Sequence, residues 1–212
     1  MDTRLRLSLP WIGGCAGLAA VSVLVFLHDV LLGGAAAWAP HLEWRAAEAW
    51  REPWRAWTAV VVHRDLAHLG ANLAGCAVVA WFGWAGRLPV RAAWAACAAW
   101  PLTQLLLWAI PGLTRYAGLS GVLHAAVAVA SVALIAEARG HQRGIGAMVW
   151  VGLLIKVLLE APWAGAVQTL PGWDFPVAVA AHATGLISGT LIMGLVAALH
   201  VRHTARASLP RQ

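Results

Sequence analysis

Charged residues are scarce in this sequence: they make up 11% of its 212 residues, whereas hydrophobic residues make up 61%. Such a composition excludes a soluble domain, whose surface needs many more charged side chains. The few cysteines, Cys15, Cys76 and Cys97, include no pair at metal-ligand or redox spacing, and we predict that they are small core residues. An HExxH motif is also absent, so no feature indicates a zinc protease.

The sequence does contain long apolar runs. Several of them approach the length of roughly 20 residues that a helix needs to cross a bilayer. We predict an all-α membrane protein with six spans, forming one domain over residues 1–212. The predicted spans are 11–32, 66–84, 92–110, 120–136, 145–161 and 177–199. The first run resembles a signal peptide, but it is longer than the apolar part of one and ends in His28 and Asp29, so we keep it as a span.

Arginine residues flank the spans in alternate loops, and positively charged flanks stay in the cytoplasm when loops are short. We therefore predict that both termini are cytoplasmic. The flanking residues are Arg4, Arg6, Arg87, Arg91, Arg139, Arg143, Arg202, Arg206 and Arg211. Because they are dispersed and form no single patch, the net charge of +6 does not indicate a nucleic-acid partner.

The first outer loop, at about residues 33–65, is longer than the other loops and rich in tryptophan. Tryptophan side chains prefer the headgroup layer of a membrane. We predict that the loop lies in this interface as one or two short helices, with Pro53 breaking the run. Its tryptophans are Trp38, Trp44, Trp50, Trp54 and Trp57.

A serine and a histidine occupy matching depths on two predicted spans. At a rise of about 1.5 Å per residue, Ser120 in the fourth span and His182 in the sixth both lie roughly 25 Å above the inner ends of their helices. Polar groups inside a membrane point to function, and a histidine beside a serine is the minimal pair that makes a hydroxyl nucleophilic. No carboxylate has a comparable depth on those two helices. We therefore predict a Ser–His dyad in which His182 is the general base.

Two more polar side chains reach the same level from the second span. His68 and Asn72 are four residues apart and share one helix face. By helical rise they lie about 28 Å and 22 Å above Arg87. We predict that they donate hydrogen bonds to an oxyanion, together with the backbone N–H of Ser120. The alternative is that both only hydrogen-bond neighbouring helices.

Small residues on the sixth span offer a way for the predicted pair to meet. Gly185 and Gly189 lie four residues apart and form a small-residue face. We predict that this face lets the sixth span approach the fourth closely enough for Ser120 and His182 to make contact.

The fifth span carries two opposite charges, Lys156 and Glu160, four residues apart. Burying either charge alone would be costly. We interpret them as an internal ion pair that holds this span against its neighbours, and the alternative is a contact with substrate. His63, just before the second span, is interpreted as support for a loop or a water path rather than as a reacting group.

A different function could use the same histidines. His68, His124 and His182 could bind a b-type haem or a quinone in a membrane protein that is not an enzyme. A haem absorption band on purification would identify such a protein. This alternative gives no reason for the motif Gly118-x-Ser120-Gly121.

Four motifs follow one another along the chain in a distinctive order. They are Trp54-Arg55, His63-x4-His68-x3-Asn72, Gly118-x-Ser120-Gly121 and Ala181-His182-x2-Gly185-x3-Gly189. In order, spacing and topology they resemble the rhomboid family of intramembrane serine proteases. Within that family, the run Gly-Leu-Ser-Gly-Val-Leu-His at 118–124, with Ala-His near the end of the chain, is most similar to the rhombosortase subgroup.

The resemblance implies a six-helix rhomboid-like bundle in the bacterial inner membrane, without a cofactor or metal ion. Ser120 and His182 would be catalytic, and His68 and Asn72 would bind the oxyanion. The substrates would be single-pass membrane proteins cut near the outer face. Rhombosortase substrates carry a C-terminal sorting signal made of a Gly-Gly-type motif, a transmembrane helix and a basic tail. An inactive rhomboid-like binding protein is an alternative, but such relatives tend to lose the Ser–His pair.

The sequence departs from the family pattern at two positions. Many rhomboids carry a glutamate toward the inner end of the second span, where this chain has Trp84, and the other departure lies beside the predicted dyad. The matching residues, expected to support the site, are Gly118, Gly121, Gly185 and His63. Many rhomboids have a tyrosine four residues after the catalytic serine that stacks on the catalytic histidine, and here the residue is His124. We expect His124 to contact His182. The alternative is a buried structural histidine that bonds a backbone carbonyl.

Overall fold

The computed structural model of this chain describes residues 3–169 and 171–207. Within this part, six helices are long and apolar enough to cross a membrane, which confirms the predicted number of spans. The helices and strands are α1 (Thr3–Leu32), α2 (Ala39–Leu42), β1 (Trp44–Arg45), α3 (Arg55–Thr58), α4 (Leu66–Ala85), α5 (Val90–Leu106), β2 (Arg115–Tyr116), α6 (Ser120–Glu137), α7 (His141–Leu159) and α8 (Val179–Ala207). Single turns of 3-10 helix occur at Gly34–Ala36, Ala46–Glu48, Ala59–Val61 and Leu107–Ala109.

The bounds of α7 differ from the predicted span at both ends. The helix begins at His141, before the predicted start at 145, because polar residues continue it beyond its apolar part. It ends at Leu159, and Ala161 has a φ of +45°, a left-handed conformation that stops a helix. The helix therefore ends two residues before its predicted end near residue 161, and Glu160 caps it instead of lying inside it.

If all six candidate helices cross the membrane, both ends of the described chain lie on one side of it. That this side is the cytoplasm stays a prediction. Of the arginines behind it, Arg211 and the side chains of Arg4, Arg6 and Arg206 lie outside the described residues. The assignment of 1–212 to one domain also stays a prediction, since 1–2, 170 and 208–212 lie outside that part.

α6 lies in the middle of the bundle and packs against α5, α7 and α8. Its buried side chains are mostly small, so that another helix backbone can come close. A Cβ added at Gly185 of α8 would lie only 2.1 Å from the carbonyl oxygen of Gly121, and one at Gly189 only 2.3 Å from that of Ala125. The close approach of the sixth span to the fourth through these glycines is confirmed.

Polar side chains tie the remaining helices into the bundle. Trp11 of α1 donates from Nε1 to the carbonyl oxygen of Val79 in α4 at 2.8 Å. At the end of the bundle away from Ser120, Arg91 of α5 donates from Nε to the carboxylate of Glu137 in α6 at 2.9 Å. These contacts fix α1 relative to α4 and α5 relative to α6.

The outer loop is more broken than predicted and includes a strand. β1 pairs antiparallel with β2, with Trp44 opposite Tyr116. This pairing turns Trp44 into the core, where it is 1% exposed, so the headgroup position predicted for it is wrong. The other four tryptophans of the loop are 45% to 74% exposed. Pro53 lies in the turn before α3.

Arg55 holds this loop together from inside. Its guanidinium is buried and donates from Nη1 to the carbonyl oxygens of Pro40 at 3.0 Å and Glu43 at 2.8 Å. The carboxylate of Glu52 accepts a hydrogen bond from Arg55 Nε. The carboxylate of Glu48 forms an ion pair with Arg55 Nη2 at 3.3 Å. A loop without long regular structure is thereby fixed over the bundle.

The cysteines follow the prediction in two of three cases. Cys76 is buried and Cys15 is half-buried, as expected of small core residues. Cys97 is exposed on α5, so the core position predicted for it is wrong. The face of α5 that carries Cys97 points away from the bundle. Because both faces of this helix are apolar, the sequence does not show which face is buried.

Candidate active site

Ser120 is the first residue of α6, and backbone contacts hold the turn before it. Gly118 N donates to the carbonyl oxygen of Ala59 at 2.9 Å. Gly118 has a φ of +124°, which residues with a side chain rarely adopt. A Cβ added there would also lie 2.7 Å from His68 Nε2. Backbone conformation and the closeness of His68 therefore both require glycine before Ser120.

Tyr116 supports the same turn, although no sequence motif indicates it. Its hydroxyl donates to the carbonyl oxygen of Gly118 at 2.7 Å and accepts from the N–H of Gly121 at 3.2 Å. Burial raises the pKa of this phenol, so it remains a hydrogen-bond donor at neutral pH. It is the only tyrosine of the chain and lies four residues before Ser120, which was the one signal available.

His182 lies in the first turn of α8 and reaches Ser120 across the close helix contact. Its Nε2 is 3.0 Å from the Ser120 Oγ, a hydrogen-bond distance. His182 is 5% exposed. The two residues predicted to meet because of their matching depths are thus in contact.

A carboxylate extends this contact to a third residue. Glu160 Oε2 is 2.8 Å from His182 Nδ1, and Glu160 Oε1 accepts from Lys156 Nζ at 2.6 Å. Because a carboxylate only accepts, His182 Nδ1 carries a proton and Nε2 presents its lone pair to Ser120. The expected ion pair between Lys156 and Glu160 is present, but the Lys156 side chain is 47% exposed, so the prediction that the pair is internal is wrong. Glu160 also contacts His182.

The expectation of a pair without a carboxylate needs correction. That expectation compared depths only on the helices that carry Ser120 and His182. Glu160 comes instead from the end of α7. In the sequence, Glu160 follows Lys156 by four residues at the end of an apolar run, which indicates a depth close to that of Ser120 and His182. The sequence does not show that its side chain faces the helix that carries His182.

His124 contacts His182, as expected. Their rings stack with centroids 4.1 Å apart and planes 8° from parallel. His124 Nδ1 also donates to the carbonyl oxygen of Ser120 at 2.7 Å, so the alternative of a backbone-bonded histidine holds as well. The imidazole of His124 therefore fixes the His182 ring from one side while its own rotation is locked.

His68 and Asn72 of α4 face Ser120 across a shared cavity. Asn72 is 4% exposed, and its Nδ2 has no partner among the described residues. His68 Nδ1 accepts from the N–H of Arg64 at 3.4 Å, so the proton of the neutral ring is on Nε2. Asp65 caps α4 by accepting from His68 N at 2.7 Å. The two side chains thus offer N–H groups to the cavity that Ser120 also lines.

His63 lies behind His68 and does not line the cavity. Its Nδ1 is 3.3 Å from the carbonyl oxygen of Val61, and its ring packs edge-on against that of His68 with centroids 4.9 Å apart. Burial lowers the pKa of His63 to about 4 from its ordinary 6.5, so the ring is neutral at physiological pH. This position agrees with the interpretation of His63 as a supporting residue.

The cavity beside Ser120 has a volume of about 500 Å³. Its polar side chains come from the starts of α4, α6 and α8 and from the end of α7, which together form its polar end. Apolar side chains of α4, α6 and α7 line the remainder. Trp173 and Phe175, in the segment between α7 and α8, complete the lining, and the Phe175 ring lies 5.1 Å from that of His68. These two aromatic residues were not predicted, because nothing in a loop sequence shows where the loop folds back.

A group of possible metal ligands occurs within the same site. Ligand atoms of His124, Glu160 and His182 lie within 4.8 Å of one another. The hydrogen bonds already described explain this closeness without an ion. Both ring nitrogens of His182 are engaged, by Ser120 and by Glu160.

Comparison with known proteins identifies a family for this chain. A protein-family model described as Rhomboid domain matches residues 50–199, more than two thirds of the chain. The match begins in the outer loop, ends in α8 and includes every residue of the site described above. No curated protein matches the chain.

Proposed function

Because this chain belongs to the rhomboid family, whose members are intramembrane serine proteases, we propose that it cleaves membrane proteins with Ser120 as nucleophile. The observation that carries the proposal is the hydrogen bond of 3.0 Å between Ser120 Oγ and His182 Nε2. It joins two membrane helices at the edge of a cavity. Polar side chains inside a membrane are costly to bury, so their presence indicates a functional site.

In the proposed reaction, His182 Nε2 takes the proton of the Ser120 hydroxyl while Oγ attacks the carbonyl carbon of the substrate. The new C–O bond leaves a negative charge on the former carbonyl oxygen. His182 then gives its proton to the nitrogen of the leaving amine as the C–N bond breaks. A water molecule, deprotonated by the same histidine, hydrolyses the acyl-enzyme and restores the serine hydroxyl.

We propose that Asn72 and His68 stabilise the oxyanion. The unpartnered Nδ2 of Asn72 and the protonated Nε2 of His68 border the cavity beside Ser120. The N–H of Ser120 is a further donor, since the first N–H groups of a helix have no acceptor within it. The positive end of the α6 dipole favours negative charge at the same point. Each donor of this kind is worth about 10² to 10³ in rate.

The proposed substrates are single-pass membrane proteins that enter from the lipid bilayer. The apolar part of the cavity, between α4 and α7, is suited to a hydrophobic segment. Its polar end, with Ser120 at the start of a membrane helix, fits cleavage near one membrane face. We place that face outside and the protein in the inner membrane of a bacterium, in keeping with the arginine distribution and the family resemblance.

Rhombosortase-type sorting signals are the substrate class that we propose. The support is the run from Gly118 to His124 and the Ala181-His182 pair, which resemble that subgroup. The aromatic rings of Trp173 and Phe175 at the polar end of the cavity favour small residues at the bond to be cut. A Gly-Gly-type motif before a transmembrane helix provides such residues.

The test is cleavage in proteoliposomes that contain the purified chain and one of two single-pass substrates. The first carries Gly-Gly before its transmembrane helix and a basic tail, and in the second Val-Val replaces Gly-Gly. We expect a product cut near the motif from the first substrate only, and no product with Ser120→Ala. Equal cleavage of both substrates would contradict the substrate class, and equal cleavage by Ser120→Ala would contradict the nucleophile.

A further inference from the structure

Glu160 lies where α7 ends, and several contacts fix its position. Its N–H donates to the carbonyl oxygen of Lys156 at 3.1 Å, and Ala161 takes the left-handed φ of +45° directly after it. Gln168 then donates from Nε2 to the carbonyl oxygen of Ala161 at 2.7 Å. A left-handed residue other than glycine costs roughly 1 kcal/mol and persists only where its surroundings require it.

The carboxylate of Glu160 uses each oxygen for a different partner. Oε1 accepts from Lys156 Nζ at 2.6 Å, and Oε2 lies 2.8 Å from His182 Nδ1. The Glu160 side chain is 13% exposed and that of His182 is 6% exposed, whereas that of Lys156 is 47% exposed. The contact between Glu160 and His182 is therefore the more enclosed of the two.

We propose that Glu160 is a positioning residue for the reaction, so that Ser120, His182 and Glu160 act as a hydrogen-bonded triad. The inference rests on the proposed function. The carboxylate holds the proton of His182 on Nδ1, which leaves the lone pair of Nε2 directed at Ser120 Oγ. It also stabilises the positive charge that the imidazole gains when it takes the serine proton.

The other side chains around His182 show why a carboxylate is needed to stabilise its charged ring. His124 stacks on the ring from α6, His68 faces it across the cavity from α4, and Lys156 approaches from α7. None of these three groups can stabilise an imidazolium by accepting its Nδ1 proton at the observed position. Glu160 alone among the described residues accepts from Nδ1.

The simpler explanation is that Glu160 only pairs with Lys156 to hold α7 in place. That role predicts a loss of stability without a specific loss of nucleophile activation. A positioning role predicts slower chemistry that depends on the presence of His182. The two roles therefore differ in kinetics as well as in stability.

Labelling of Ser120 by a fluorophosphonate probe separates these roles. The probe forms an O–P bond to Oγ and releases fluoride, while His182 accepts the hydroxyl proton. For Glu160→Gln, which keeps the size of the side chain and removes its charge, we expect kinact to fall by about 10² to 10⁴. The half-saturating probe concentration KI should change by less than about threefold, because Glu160 acts on the transition state and not on binding.

A matched control is available in Glu137→Gln. Glu137 is also a partly buried glutamate at the end of a membrane helix, with its side chain 19% exposed and paired with Arg91. We expect this variant to lower the unfolding temperature and to keep kinact within about threefold. In a His182→Ala background, Glu160→Gln should change the residual labelling by less than twofold, because the residue through which it acts is absent.

The conservative variant Glu160→Asp tests the same idea with the charge retained. Removal of one methylene withdraws the carboxylate from Nδ1 by about 1.5 Å. We expect kinact to fall at least tenfold with an unfolding temperature close to that of wild type. This measurement still decides the question if Glu160→Gln does not fold.

Three results would overturn the inference. They are labelling of folded Glu160→Gln within about threefold of wild type, a loss that is confined to KI, or an equal loss in the His182→Ala background. Failure of the proposed function is distinct from all three, because the wild-type chain would then not be labelled at Ser120 at all.

Discussion

The substitution Gly185→Ala adds a single methyl group, and we expect this group to push the two reacting residues apart. A Cβ at this position would lie 2.1 Å from the carbonyl oxygen of Gly121, 3.1 Å from its carbonyl carbon and 3.2 Å from Ala125 N. All three are backbone atoms of α6, so no side-chain rotation relieves the contact. An ordinary carbon contact needs about 3.5 Å, so α8 has to withdraw by about 1.4 Å.

His182 lies one helical turn before Gly185 and moves with it. A displacement of this size lengthens the contact between Ser120 Oγ and His182 Nε2 from 3.0 Å to about 4 Å. That distance is beyond a hydrogen bond, and misplacement of a reacting group by about 1 Å costs roughly 10² in rate. We therefore expect the fluorophosphonate labelling rate of Gly185→Ala to fall by about 100-fold.

Gly194→Ala is the control for this prediction. Gly194 lies in the same helix, and a Cβ added there meets nothing within 4 Å. Replacing glycine by alanine favours the helix by about 1 kcal/mol in both variants. A difference between their labelling rates therefore reports on the contact with α6. Labelling of Gly194→Ala should equal that of wild type. Equal labelling by Gly185→Ala would refute the argument that the helix contact positions the reacting pair.

Three further variants test separate parts of the site. Asn72→Ala should lower kinact by about 10² and leave KI nearly unchanged, because its N–H acts on charge that develops in the transition state. Tyr116→Phe should lower the unfolding free energy by about 1 to 3 kcal/mol, because it leaves the buried Gly118 carbonyl and Gly121 N–H without the hydroxyl. His63→Gln should make stability less sensitive to acid. The folded pKa of His63, about 4, is below its ordinary 6.5, so the wild-type chain loses stability as pH falls through that window, by up to about 3 kcal/mol.

The measurements are labelling kinetics for Asn72→Ala and unfolding in detergent for the other two variants. A rise in KI with unchanged kinact would make Asn72 a binding or packing residue. An unchanged unfolding free energy for Tyr116→Phe would remove its structural role. Parallel stability profiles of wild type and His63→Gln between pH 4 and 7 would show that His63 does not titrate as its burial requires.

Helical geometry is the reason why the central pair could be predicted from sequence. The rise per residue is fixed, so counting from the inner ends of two apolar spans placed Ser120 and His182 at one depth. The same counting placed His68 and Asn72 beside them. The contact of His124 with His182 followed from the family resemblance, because a position four residues after Ser120 lies on the same helix face.

Residues whose positions depend on how the elements pack could not be predicted in this way. Glu160 reaches His182 only because α7 stops one residue before it, and apolarity marks the part of a helix in lipid rather than its end. Trp44 is buried by pairing with a strand about 70 residues further on, and short strands leave little periodicity in a sequence. Trp173 and Phe175 belong to a segment whose path is set by tertiary contacts.

Mapping the site of fluorophosphonate labelling by peptide mass spectrometry tests the central claim most directly. The account predicts that wild type carries one label, on Ser120, and that Ser120→Ala carries none. His182→Ala, which keeps the serine but removes the base, should retain only a slow residual labelling of Ser120, because the pair acts as a unit. A wild-type chain without label, or a label that persists in folded Ser120→Ala, would contradict the proposal that Ser120 is an activated nucleophile.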